Sequence, residues 1–212
     1  MVKNTFNTII SMKKNTQPVG RPRKFDETEI LQKVMKLFWN NGYEGTGMSD
    51  IIATTGLAKG SLYKAFGNKK NLYLQAMNLY EQQYVDTASN ALTDNQDPIK
   101  RIKEFLSSPI KASNLVGENN GCFLCNASAD RADLDPEIRT LVQRGFNKLG
   151  QALQLAISEL NPETATDQVN KQAEALLALY SGLHVMSRSG LEKKRMEAAR
   201  DGGLLGLGIK IS

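Results

Sequence analysis

The chain has 212 residues, 41% of them hydrophobic, with 27 Lys and Arg against 22 Asp and Glu and a single histidine. That length and apolar content support a real core, in one large or two modest domains, without covalent staples. No run approaches the roughly 20 apolar residues of a membrane-spanning helix, "FNTII" near the start is too short for a secretory signal, and two cysteines are too few for a disulfide framework, so a cytoplasmic protein with free thiols is expected.

In chain order, residues 1–20, rich in Asn, Thr and Lys, show no periodicity and are read as a disordered basic arm. From Asp26 onward Ile30, Leu31, Val34, Leu37 and Phe38 follow a helical repeat, with acids at its start and Gly42 at its end. Thr46 offers an N-cap for a brief second helix, and Thr55-Gly56-Leu57 forms a turn. A third short helix spans 58–66, Gly67-Asn68 ends it, and a longer one runs from about Lys69 into the nineties. Pro98 opens another, Asn119-Asn120-Gly121 precedes the next, and Asp135-Pro136-Glu137 starts one that reaches about Leu160. Asn161-Pro162 breaks it; residues 166–189 and about 191–206 supply the last two. There is no alternating strand pattern and no internal repeat, so the predicted class is all-α.

Charge divides the chain as well. Residues 1–24 carry six cations and no acid, the stretch through residue 72 sums to +7, and −2 remains behind it, for a total of +5. A basic front and a mildly acidic back imply two jobs, the first with a polyanion.

Residues 56–70, "GLAKGSLYKAFGNKK", give that polyanion a surface. A short helix, a glycine-containing turn and a second short helix form a helix-turn-helix, whose second helix enters the major groove of duplex DNA. Lys59, Gly60 and Ser61 suit the tip of such a helix; Tyr63 can donate to a phosphate, and Lys64, Lys69 and Lys70 add charge. Leu62 and Phe66 face inward.

Residues 42–73, "GYEGTGMSDIIATTGLAKGSLYKAFGNKKNLY", resemble the DNA-binding domain of the tetracycline-repressor (TetR/AcrR) family. The resemblance is strong over about residues 21–73; the remainder agrees in helix number and length. It implies a three-helix DNA-binding domain over residues 21–73 and a ligand-binding and dimerisation domain over 74–212, together a dimeric transcriptional regulator, usually a repressor, that a small-molecule inducer releases from its operator. It also matches Thr46 and Tyr63 to phosphate-contacting positions, Lys59, Gly60, Ser61 and Lys64 to the groove-facing part of the third helix, and Lys69 to a lysine that meets the DNA backbone. Ala58 departs from the usual capping residue, and Lys70 replaces a frequent acid, which should strengthen nonspecific affinity.

"GRPRK" at 20–24 adds a further surface: Arg21 and Arg23 either lie in a narrow minor groove or give charge attraction alone. One recognition helix reads few base pairs, so a second half-site and a homodimer are expected, with Leu176, Tyr180, Leu183 and Met186 as candidate interface residues in a four-helix bundle or, alternatively, as core. Cys122 and Cys125 share a helical face, and a helix start near Gly121 would favour thiolate at Cys122; the pair is either a redox or electrophile sensor or a pair of buried small hydrophobes. Sensing by a cysteine at a similar "GC" helix opening is also a property of one branch of the resembling family. An inducer pocket would be mainly apolar, with Phe105, Phe123, Phe146 and Tyr180 as candidate linings. Two cysteines and one histidine cannot close a zinc site, no cofactor is expected, and no phosphate loop or nucleophile pairing suggests an enzyme. A redox-sensing or ligand-carrying helical dimer with incidental DNA binding is the alternative.

Overall fold

The computed structural model describes residues 25–112 and 120–209, and among them there are helices and no strands. The basic arm, with Arg21 and Arg23, lies outside the described residues. Helix α1 (Glu27–Asn41) begins at Asp26, whose carboxylate accepts the Thr28 N–H at 2.8 Å, and ends at Gly42, where φ of 74° needs a residue without Cβ. Helix α2 (Met48–Thr55) is capped by Gly47, whose N–H donates to the Asp50 carboxylate at 2.7 Å. The expected cap, Thr46, is instead fully buried, its hydroxyl donating to the Gly42 carbonyl at 2.8 Å. That bond fastens the α1–α2 turn from inside.

Gly56 makes the left-handed turn into α3 (Lys59–Phe66). Asn68 then caps α4 (Lys69–Tyr80) by accepting the Asn71 N–H at 2.9 Å. The helix does not stop at Tyr80. It passes through a π-helical turn (Glu81–Val85) into α5 (Asp86–Leu92), with right-handed helical backbone at both junctions. A π turn inserts one extra residue into the helix. Here it buries Glu81, whose carboxylate accepts from Arg144 at 2.7 Å and Lys148 at 3.2 Å.

Helices α6 (Pro98–Ala112), α7 (Phe123–Asp130), α8 (Pro136–Leu160), α9 (Thr166–Arg188) and α10 (Lys193–Gly206) complete the order. Asp135 and Pro136 open α8 as read from the sequence, with Asp135 Oδ1 accepting from Glu137 N–H at 3.0 Å. α1 packs on α4; α8 lies along α9, α6 covers that pair, and α5 packs on α8 and α6. Val34, Phe38, Ile51, Leu62 and Leu72 fill the amino-terminal core, while Leu149, Leu153, Ala156, Leu176 and Leu183 fill the carboxyl-terminal one. The boundary expected between residues 73 and 74 falls inside α4, so one rigid helix belongs to both halves.

Candidate nucleic-acid interface and effector site

Helix α3 is held by two side chains and otherwise open. Leu62 and Phe66 are buried, whereas Lys59, Gly60, Ser61 and Lys64 are exposed and Tyr63 keeps 42% of its surface accessible. Lys59 Nζ sits 5.9 Å from the Tyr63 ring centroid. The residues expected at the tip and flank therefore share one solvent-facing side of a helix pinned from behind. Lys69, at the head of α4, places its ammonium 4.3 Å over the Tyr43 ring, a cation–π contact that fixes the start of that helix.

Lys70 differs from expectation. Its ammonium is paired with Asp135 at 2.9 Å and with Glu137, joining α4 to the first turn of α8. Glu137 first and Asp135 second raise its pKa, and Lys70 in turn holds Asp135 below the usual carboxylate range. This lysine bridges the two halves rather than standing free for a phosphate. Thr46, likewise, has its hydroxyl turned into the protein.

A seam unforeseen in the sequence lies beside Lys70. The Tyr43 N–H donates to Asp130 Oδ2 at 2.9 Å, and Arg131 donates to Glu44 Oε1 at 2.7 Å with its guanidinium 4.7 Å over the Tyr43 ring. Asp130 and Arg131 end α7, and Tyr43 and Glu44 form the turn that feeds α2. These partners are 87 positions apart, so no local pattern announces them.

At the other end of α7 lies a cavity of about 710 Å³ between α1, the α4–π–α5 helix, α6 and α9. Trp39, Tyr80, Tyr84, Phe105 and Tyr180 give it aromatic walls, and Cys122 and His184 lie at its inner end. Of the expected linings, Phe105 and Tyr180 are present and stack at 4.0 Å; Phe123 and Phe146 pack in the core instead. The other wall residues were missed because they come from separate helices. Cys122 is the N-cap of α7, buried, and accepts from the Tyr80 hydroxyl at 3.5 Å.

Residues 30–76 match the family model of bacterial regulatory proteins of the tetR family. Over 184 residues, 84% of this chain and 86% of the relative, the sequence is 26% identical to the HTH-type transcriptional repressor ComR of Escherichia coli strain K12. Among solved structures, a cysteine mutant of the TetR family regulator CifR in complex with 26-base-pair operator DNA superposes with a TM-score of 0.77 at 22% identity, covering 87% of this chain and 98% of that one. Reduced NemR of Escherichia coli gives 0.74 at 20% identity, covering 83% and 93%.

Residues 30–76 carry a DNA-binding segment of the tetR family. Its helix-turn-helix lies on α2 and α3, followed by α4 as the shared strut and the helical carboxyl-terminal half. The candidate dimer residues require correction. Leu176, Tyr180 and Leu183 are buried within the single subunit, packed against α6 and α8, and Met186 is only half-buried. The apolar side chains left outside on the two longest helices are Leu155, 57% exposed, and Val185, 62% exposed, with Ala178 and Gly182 on the same side of α9 as Val185. The apolar stripe of α9 identified the inward face; the outer face lies about half a turn around the same helix and carries fewer apolar side chains.

Proposed function

We propose that the chain is a homodimeric DNA-binding transcriptional repressor, acting in the cytoplasm, that grips its operator through α3 and releases it when a small molecule fills the aromatic cavity or when its thiols are modified. The presentation of α3 carries the reading: a short helix anchored by Leu62 and Phe66 that turns Lys59, Gly60, Ser61, Tyr63 and Lys64 to solvent. Small residues at the tip allow close approach to base edges, and the tyrosine hydroxyl and lysine ammonium groups flank it at the height of the phosphates. Lys69 meets the backbone at the start of α4, and Arg21 and Arg23 extend the contact along the neighbouring minor groove. The role is regulatory, not enzymatic.

Two copies joined through the outer faces of α8 and α9, around Leu155 and Val185, set two α3 helices toward successive major grooves. Release follows from α4. Tyr80 lies on the cavity wall at one end of this helix, while Lys69 touches Tyr43 at the other. An occupant that favours another position of α4 favours another spacing of the two recognition helices, and the equilibrium shifts to the free state.

The test is fluorescence anisotropy on a labelled duplex from immediately upstream of the chain's own gene. The double variant Tyr63→Ala, Lys64→Ala is expected to bind at least about tenfold more weakly, with unchanged helical circular dichroism, and Lys64→Ala alone to lower the salt slope by about one. Undiminished binding by the double variant returns the chain to the alternative of a helical ligand carrier with incidental DNA contact.

A further inference from the structure

Cys122 and Cys125 stand at the start of α7, one as N-cap and the other in the first turn. Residues spaced in this way across a helix start fall within the roughly 4.4–6.8 Å Cα separation that a disulfide requires. The two thiols are already hydrogen-bonded to each other. The Cys122 sulfur also receives the Tyr80 hydroxyl and the backbone N–H groups of Leu124 and Cys125. These donors, the Cys125 thiol foremost, bring Cys122 down to about 7 against the effect of burial. The same bond and burial push Cys125 up. The donors thus favour charge on Cys122 and leave the proton with Cys125.

Two cavities border the buried Cys122. The 710 Å³ cavity and a second one of about 510 Å³ both reach Cys122 and His184, and the second also reaches Cys125. His184 is buried, and neither of its ring nitrogens has a hydrogen-bond partner among the described residues. A neutral imidazole, one N–H and one lone pair, therefore borders both cavities with its polar atoms closed off and unmatched. A guest with an apolar body matches the aromatic walls.

Resting on the reading above that thiol modification releases DNA, we infer that Cys122 and Cys125 form a reversible disulfide within α7, made by an organic hydroperoxide that enters the aromatic cavity. Cys122 thiolate attacks the terminal peroxide oxygen; the O–O bond breaks, giving a sulfenic acid on Cys122 and an alkoxide. The alkoxide takes the Cys125 thiol proton and leaves as an alcohol. Cys125 thiolate then attacks the Cys122 sulfur, the S–S bond forms, and hydroxide departs. Two electrons have moved from the thiol pair to the peroxide. The product sulfur can no longer accept from Tyr80 as a thiolate does, which loosens α7 from α4. The opposite end of the same eight-residue helix holds the Tyr43 N–H through Asp130.

The test uses the intact reduced protein and cumene hydroperoxide as probe. Intact mass is expected to fall by two hydrogens, with no cross-linked dimer on a non-reducing gel. Affinity for the upstream duplex is expected to fall at least about tenfold, and dithiothreitol restores both. Cys125→Ser is expected to stop at a sulfenic acid that dimedone traps, and Cys122→Ser to bind the duplex and ignore the peroxide. An intermolecular disulfide, peroxide-driven release from Cys122→Ser, or failure of dimedone to label Cys125→Ser would overturn the assignment. Hydrogen peroxide acting as fast as cumene hydroperoxide would overturn entry through the aromatic cavity. Should the reduced protein ignore the duplex altogether, the repressor reading fails, while the mass measurement still decides whether the disulfide forms.

Discussion

His184 is buried against Tyr180, its ring edge-on to the phenol at 4.5 Å, and burial alone brings its pKa down to about 4 from 6.5. In the unfolded chain this histidine takes up a proton below about pH 6.5, while the folded protein resists until about pH 4. Stability is therefore unaffected at neutral pH and falls as pH drops through that window, by about 2 kcal/mol at pH 5. Urea unfolding at pH 7 and pH 5 should show this loss, and His184→Phe should remove most of the difference. Lys70 makes a contrasting case at the same scale. Because its ammonium is committed to Asp135 and Glu137, Lys70→Gln is expected to leave the salt slope of DNA binding nearly unchanged, where Lys64→Ala lowers it. Equal slopes for the two variants would restore Lys70 as a phosphate contact.

Helix α7 is short, yet both of its ends touch the other half of the molecule, and its middle depends on a glycine of α8. A Cβ at Gly145 would stand 2.5 Å from one methyl of Leu124 and 3.1 Å from the other. Leu124 is itself buried and borders the aromatic cavity, so its methyls must swing from their packed position toward that space. Gly145→Ala gains up to about 1 kcal/mol of helix propensity and meets an overpacking cost of about 1–3 kcal/mol, so a net loss of stability is expected in chemical denaturation, together with a changed alkylation rate at Cys122. The π turn after α4 is the complementary feature. Its extra residue turns Glu81 inward to Arg144 and Lys148, which ties the strut helix to α8 midway along its length. A helix bound at several points in this way moves as a body, and this allows events at Tyr80 to reach Lys69.

At the scale of the whole molecule the outer and inner faces of α8 and α9 separate association from folding. Leu155→Glu with Val185→Glu places charge on the exposed apolar patch and should give a folded monomer in sedimentation, with duplex binding lost because a single α3 reads too little sequence. Leu176→Ala removes a fully buried side chain and should instead cost about 2–5 kcal/mol of stability without that change in assembly. The opposite pattern would return the interface to the inward stripe.

Helix order, the acidic start at Asp26, the cap at Asp135, the turn glycines and the exposed character of α3 were legible in the sequence, because each depends on residues within a turn or two of one another, whereas Asn68, read as the end of α3, caps α4. Thr46 was misread as a cap since spacing alone does not distinguish a hydroxyl facing the helix start from one facing the preceding turn. The dimer stripe was misplaced for a related reason: an amphipathic pattern identifies an apolar face and does not say which neighbour covers it. The linear chain thus determined the recognition helix and its charge. Only tertiary packing decided that Lys70 bridges two halves, that Asp130 holds Tyr43, and that Cys122 meets Tyr80 and His184 at a cavity, since those contacts join segments distant in sequence and leave no local periodicity to read.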